Sequence, residues 1–198
     1  MRKTIATAAA LALLITLAGC SVPKVEVTQP DAEPQSQVEE TPVAPPAVGP
    51  EEGSREAPLP YGQEITVYDE ATNNPLWLIT VGQPTDATEA IAQTNQFNEP
   101  PAAGNTYLSI PVHIVWQGTE PVQPWADFQN GIDVNYVDAG GVTHEEEFVV
   151  QPWPSLMDIA DLYQGGAADF ATVVQVPAGT TGLVRISASN LDFFVGTK

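Results

Sequence analysis

The aromatic residues of this chain are confined to its last 138 residues. All four tryptophans, five tyrosines and six phenylalanines lie beyond residue 60, whereas residues 21–60 contain nine prolines, eight acidic residues and no aromatic residue. A stretch of that composition cannot bury enough apolar surface to offset its ordering entropy. We therefore predict a disordered, acidic, proline-rich stalk over residues 20–60 and one folded domain over residues 61–198.

The first nineteen residues have the composition of an export signal. Basic Met1–Lys3 precedes an uncharged apolar run, Ile5–Leu17, and small residues follow at positions 18 and 19. This order is that of a secretory signal peptide. The run is shorter than the ~20 apolar residues that a membrane-spanning helix needs. Residues 1–19 are therefore predicted to direct export.

Leu17-Ala18-Gly19-Cys20 resembles the lipobox of bacterial lipoproteins at all four positions. The resemblance implies signal cleavage between Gly19 and Cys20. It also implies a lipid anchor on the Cys20 thiol, carrying fatty acids such as palmitate, which holds the protein on the extracytoplasmic face of the cell membrane. Two or three acyl chains anchor firmly where one does not. The alternatives are an ordinary secretory signal with a chance cysteine, or an uncleaved anchor.

Charge and cysteine content narrow the range of functions. Cys20 is the only cysteine, so a chain lipidated there forms no disulfide and depends on its core for stability. Without Arg2 and Lys3, four basic and 25 acidic residues leave a net charge of −21. Such a surface repels nucleic acid. It attracts divalent cations or a basic partner, or it serves only to keep an exported protein in solution.

Alternating apolar and polar residues dominate residues 61–198 and predict an all-β domain. The longest such run, Tyr107–Trp116, carries Pro111 on its polar face, which indicates an edge or a bulge. Helix signals are few, namely Asp86–Gln93, with Thr85 or Asp86 as its cap, and a capping box that starts at Ser155. We predict an antiparallel immunoglobulin-like β-sandwich of about seven to nine strands. The other predicted strands are Gln63–Tyr68, Leu76–Val81, Ile132–Val137, Thr143–Val150, Asp169–Val176, Gly182–Ala188 and Leu191–Val195, with a hairpin turn at Asp138–Gly141.

Three segments resemble a family of telokin-like, immunoglobulin-fold domains of unknown function, found in small secreted lipoproteins of Gram-positive bacteria. They are Pro101–Leu108, the hairpin around Gly140-Gly141, and Leu162–Gly165 leading to Val173–Pro177. The chain departs from the family's pattern at Trp116-Gln117 and at Asp169–Ala171. The resemblance implies the sandwich fold and carries over no catalytic residue.

Few side chains suggest chemistry. His113 and His144, the only histidines, lie on a predicted strand face and beside the hairpin turn, and no serine stands in a nucleophile-elbow pattern. We predict no catalytic residue and no cofactor. Glu145 and Glu147 share one face of a predicted strand and could hold Ca²⁺ between them, although no calcium-loop pattern accompanies them. A charged strand that discourages edge pairing is the simpler interpretation.

Tryptophans offer the best candidates for a binding surface. Trp77 and Trp116 lie within strands and are predicted to be core residues. Trp125 and Trp153 lie in proline-flanked loops, where each either plugs an end of the sandwich or forms an exposed patch with Phe128 or Tyr163. The sequence thus predicts a non-catalytic envelope binding or protein-interaction module, with a calcium-binding or calcium-stabilised module as the alternative.

Overall fold

The computed structural model of this protein describes residues 51–69, 71–188 and 191–197. The predicted signal peptide, its cleavage site at Gly19 and Cys20, and the predicted stalk as far as residue 50 lie outside the described residues. The described elements are strands β1 (Glu64–Tyr68), β2 (Pro75–Val81), β3 (Thr85–Asp86), β4 (Asn105–Trp116), β5 (Ile132–Asp138), β6 (Thr143–His144), β7 (Ala167–Pro177), β8 (Gly182–Ala188) and β9 (Leu191–Val195), helices α1 (Thr88–Thr94) and α2 (Pro124–Gln129), and a 3₁₀ turn at Leu156–Asp158.

The nine strands form two antiparallel sheets, which confirms the predicted β-sandwich. In the first sheet β1 pairs with β2 and β2 with β4, while the short β3 continues along the same side of β4 and β7 pairs along its opposite side. The second sheet has the order β6-β5-β8-β9. The chain therefore places β1 and β7 at the margins of one sheet, and β6 and β9 at the margins of the other.

One apolar core lies between the two sheets. Ile79, Ile110 and Ile114 of the first sheet are fully buried with Val184 and Ile186 of the second. These residues follow the period-two alternation of their strands, because successive side chains of a strand point to opposite faces. The predicted apolar face of the Tyr107–Trp116 strand is therefore its inner face.

The two strand tryptophans are core residues, as predicted. Trp77 is 1% exposed and Trp116 is 7% exposed, with their ring centroids 4.7 Å apart. The Trp77 indole donates a hydrogen bond of 2.6 Å to Oδ2 of Asp127 in α2. A buried indole N–H needs such a partner, so this bond also fixes α2 against the first sheet.

The expectation that Pro111 marks an edge or a bulge is wrong. The strand β4 is central, and its register with β7 runs without a shift. Pro111 lies level with the gap between β2 and β3, where its carbonyl accepts a 2.8 Å bond from the Gly82 N–H. Its missing N–H therefore faces a break in the neighbouring strands and costs no ladder bond.

The predicted helix and the predicted capping box are present, but the N-cap of the helix is Ala87 and not Thr85 or Asp86. The helix over Asp86–Gln93 forms two residues later, as Thr88–Thr94, and the Asp86 carboxylate accepts a 2.9 Å bond from the Thr88 N–H. Ser155 and Asp158 form the predicted capping box, although only one 3₁₀ turn follows.

The hairpin turn after β5 is also confirmed. Oδ1 of Asp138 accepts a 2.9 Å bond from the Val142 N–H, and Gly141 has a φ of 89°. That backbone conformation favours glycine over residues with a Cβ. The second glycine of the predicted turn is therefore required by its geometry.

The folded domain includes residues before Tyr61, because residues 51–60 contact the second sheet. The Phe194 N–H donates to the Gly53 carbonyl (2.7 Å), and the Leu59 N–H donates to the Phe194 carbonyl (2.8 Å). Leu59 also bridges to Val195 in parallel. The last ten residues assigned to the stalk by composition thus belong to the sandwich.

Candidate functional site

The sandwich has a groove along each of its two long sides. On one side the short β6 pairs only with Tyr136 and Val137, so the rest of β5 forms the margin that lines the groove. The β5–β7 groove lies between β5 and β7, has a volume of about 810 Å³ and is lined among others by Trp125, Ile132, Phe148 and Phe170. The β1–β9 groove lies between β1 and β9 and has a volume of about 770 Å³. Its lining residues include Leu59, Glu64, Ile65, Val67, Leu191 and Phe193.

Helix α2 places Trp125 and Phe128 differently in the β5–β7 groove. This stretch was predicted to be a loop, but Pro124 opens a six-residue helix, a position that suits proline. Trp125 is half-buried on the groove wall. Phe128 is only 4% exposed and packs edge-on against Trp77 (5.5 Å) and Phe170 (6.0 Å). Phe128 is therefore a core anchor, and its assignment to an exposed patch is wrong.

The other two residues of the expected patch lie elsewhere. Trp153 is half-buried against a small second core that includes Ile91, Tyr107 and Val173 beneath α1. Its buried Nε1 has no hydrogen-bond partner within the described part of the chain. Tyr163 is 68% exposed but does not line the groove. The structure thus does not bring Trp125, Trp153 and Tyr163 together as one surface.

Three other apolar side chains accompany Trp125 instead. Phe97 is 82% exposed, Phe148 84% and Met157 62%, and all three line the β5–β7 groove. Exposed apolar side chains that gather on one surface mark interaction sites, whereas isolated ones do not. Nothing in the sequence singles out these three residues, because a large apolar residue is ordinarily expected to be buried.

The segment after β6 crosses from the second sheet to the first and forms one wall of this groove. The strand expected over Thr143–Val150 ends at His144. Glu146 then bridges to Val174 of β7, and the Glu147 N–H donates a 2.7 Å bond to the Val173 carbonyl. The chain leaves the second sheet at this point because the margin of β7 offers it new backbone partners.

Glutamates of this crossing segment line the groove but form no metal cluster. Glu145 and Glu147 are both groove residues, together with Glu146, whose carboxyl is desolvated enough to raise its pKa. Within residues 51–69, 71–188 and 191–197, no three His, Cys, Asp or Glu side chains are grouped so as to hold a metal ion. The strand face on which the Ca²⁺ alternative depended is also absent here.

Each histidine is paired with a carboxylate. Nδ1 of His113 lies 2.8 Å from Oδ1 of Asp169 on the exposed face of the first sheet. Nε2 of His144 lies 3.1 Å from Oδ2 of Asp138 at the hairpin, where both side chains are largely buried. The backbone N–H of Val142 and the His144 bond lower the pKa of Asp138. The first pair joins directly opposite residues of β4 and β7, and the second joins the last residues of β5 and β6.

The β1–β9 groove is the more apolar of the two. Residues 51–60 reach it through Glu52 and Leu59 and bond to β9, but no described segment pairs with β1 on this side. Leu191 and Phe193 lie on the inner face of β9, opposite Ala188 and Ile186. Leu191 is nevertheless 62% exposed. A strip of the inner sheet face is therefore open to solvent along this side.

None of the helices in the described part of the chain is long and apolar enough to cross a membrane.

Comparison with known proteins finds similar solved structures at low sequence identity. No known family model matches the chain, and no curated protein matches it either. The secreted protein MPT63 of Mycobacterium tuberculosis is 16% identical with a TM-score of 0.49, over 70% of this chain and 95% of that one. An uncharacterised β-sandwich protein of Clostridium difficile is 9% identical with a TM-score of 0.47, over 76% and 100%.

A third similar structure is a conserved hypothetical protein of Bacillus anthracis. It is 13% identical with a TM-score of 0.40, over 68% of this chain and 96% of that one. At these identities and scores, none of the three likenesses bears on the function of this chain.

Proposed function

We propose that this chain is a non-catalytic, lipid-anchored module that binds another envelope protein on the extracytoplasmic face of the cell membrane. The observation that carries the proposal is the gathering of Phe97, Phe148 and Met157 beside Trp125 along one groove. Large apolar anchors beside a polar rim are typical of protein-binding surfaces.

The anchor is supported by the sequence Leu17-Ala18-Gly19-Cys20 at the end of an export signal. Lipid on Cys20 places the module at the membrane, and the acidic residues that follow keep it in solution there. Recognition then falls to the folded domain. Mass spectrometry of the protein from membranes is expected to show an acylated N-terminal Cys20. An unmodified cysteine or a retained Met1 would contradict the anchor.

The binding surface can be tested with Phe148→Ser. Phe148 is 84% exposed, so its loss leaves the fold intact while it removes an apolar anchor. We expect capture of the partner from an envelope extract to fall by about tenfold or more, as for a binding hot spot. Tyr163→Ser is the matched control, because Tyr163 is 68% exposed and lies outside the groove.

Two results would overturn the groove assignment. One is equal capture by the wild-type chain and Phe148→Ser, and the other is loss of capture by Tyr163→Ser alone. Running each capture with added calcium and with a chelator separates an apolar contact from a Ca²⁺-dependent one through Glu145 and Glu147. The proposal expects the same yield in both.

A further inference from the structure

Among the described residues, one edge of strand β1 has no paired strand. In the described ladders β1 pairs with β2 alone. The margins at β7 and β9 are covered in part, since the Glu147 N–H donates to the Val173 carbonyl of β7, and Gly53 and Leu59 bond to Phe194 of β9. A bare strand edge presents a row of backbone donors and acceptors that can pair with another extended chain.

Apolar surface lies directly beside this edge. The β1–β9 groove runs along Gln63–Asp69 on one side and reaches Ala188, Leu191 and Phe193 on the other. Leu191 is on the inner face of β9, but no described strand covers it. A strand added next to β1 would direct alternate side chains into this groove, because side chains alternate across a sheet.

The rim of the groove is acidic. Glu52, Glu64 and Asp69 line it, and its lining contains no basic residue. The side chain of Glu64 is on the outer face of β1, as the burial pattern of the strand shows. A cross-strand neighbour of opposite charge on that face stabilises a pair, and a like charge opposes it.

We propose that the β1 edge and the β1–β9 groove form a docking site for an extended segment of a partner protein in which apolar and basic residues alternate. The segment adds a strand beside β1 by main-chain hydrogen bonds, a known mode of peptide recognition. Its apolar side chains contact Leu191 and Phe193, and its basic side chains face Glu64. The five residues of β1 span ~17 Å at 3.4 Å per residue. This site is separate from the β5–β7 groove.

The test uses residues 20–198 with Cys20→Ser, so that the chain stays unlipidated, and a synthetic peptide of about eight alternating valines and lysines, an ordinary strand length. Nuclear magnetic resonance titration is expected to shift the amide signals of Glu64–Tyr68 and of Leu191 and Phe193. The same peptide with glutamate in place of lysine is expected not to bind. A lysine peptide with N-methyl groups on alternate amides, in both registers, tests the main-chain bonds and is expected to lose binding in one register.

Variants separate this site from general charge attraction. Leu191→Lys is expected to weaken binding about tenfold, as for loss of an apolar anchor. Met157→Lys, at an equally exposed residue (62% in both cases) of the β5–β7 groove, is expected to leave it unchanged. Glu64→Lys is expected to weaken the lysine peptide by roughly two- to fivefold, the range of an exposed ion pair, and to strengthen the glutamate peptide.

The proposal fails if neither peptide shifts the β1 signals, if both peptides bind equally well, or if the shifts fall on the β5–β7 groove. A dimer of the chain alone that Leu191→Lys disrupts would assign the edge to a second copy and would also overturn it. Each of these results is independent of whether Phe148→Ser loses its envelope partner.

Discussion

The two long sides of the sandwich differ in how their backbone is used. On the β7 side, residues 146–154 cross the margin and take up its hydrogen bonds, including one from the Gln151 amide to the Ala171 carbonyl (3.0 Å). On the β1 side, no described segment does so. Where the N–H and C=O groups of a strand margin are already hydrogen-bonded, only side chains remain available to bind a partner. Where they are not, the backbone itself can bind.

The exposed side chains follow the same division. The β7 side, called here the covered side, exposes Phe97 and Phe148 to solvent. Exposed aromatic side chains of this kind are enriched in protein–protein interfaces. The β1 side, called here the open side, exposes part of the apolar inner face, with Leu191 at its rim. The edge of β1 that has no described partner lies beside it. One fold therefore offers two kinds of binding surface, and each should respond to different substitutions.

The largest expected contrast is in stability. Phe128→Ala removes a buried ring that packs against Trp77 and Phe170 on the covered side, and a cavity of this kind costs about 3–5 kcal/mol. Leu191→Ala on the open side removes a side chain that is 62% exposed, at a cost of ~0.5 kcal/mol or less. Urea denaturation measures both free energies of unfolding.

Far-ultraviolet circular dichroism of the two variants checks that each retains its strands before unfolding. If the two substitutions cost the same free energy, the covered side would not be the better packed, and the contrast between the two sides would be lost.

A smaller loss of stability is expected when the hydrogen bonds that hold the crossing segment after β6 are removed. The Asn98 amide donates to the carbonyls of Ile91 (2.8 Å) and Val150 (2.7 Å), and its oxygen accepts from the Val150 N–H (2.9 Å). Asn98→Ala leaves these backbone groups without their partner, which costs about 1–2 kcal/mol. Hydrogen exchange at the Val150 and Glu147 amides should accelerate.

Asn95→Ala is the matched control, because the Asn95 side chain accepts only a local bond from the Phe97 N–H (3.0 Å). It should leave exchange at Val150 unchanged. Unchanged exchange in Asn98→Ala would instead mean that the crossing segment is held by its contacts with β7 alone.

Much of the sandwich could be predicted from local pattern, since burial of one face imposes period-two alternation on a strand. In β4 that alternation predicted the apolar face on which Ile110 and Ile114 are fully buried. The Asp138–Gly141 turn was predictable for a similar reason, because its chemistry is contained in four consecutive residues. Such features require no knowledge of distant segments.

The candidate site depended on distant pairing and was therefore less predictable. Residues 143–150 have a strand-like composition, but after His144 the chain pairs with Val173 and Val174 of β7, more than 25 residues further along. No local pattern specifies that choice. Phe128 and Phe148 are the same residue type, yet one is 4% and the other 84% exposed. The position of α2 against Trp77 separates them, and the stretch that forms α2 was predicted to be a loop, although proline suits a first helical position.

The smallest expected effect on stability concerns the Asp138–Gly141 turn, which precedes the crossing segment. This effect depends on pH. Bonds from the Val142 N–H and from His144 lower the pKa of Asp138 in the folded chain. A carboxyl with a lowered folded pKa contributes stability above its unfolded pKa, about 4, and loses it as the pH falls through the folded value. Asp138→Asn should therefore lower the melting temperature at pH 7, and this deficit should shrink below about pH 4. Asp161→Asn, at an exposed carboxylate, is the control. A deficit that stays constant from pH 7 to pH 3 would show that the Asp138 charge does not stabilise the turn, and that the covered side is held by its β7 and Asn98 contacts instead.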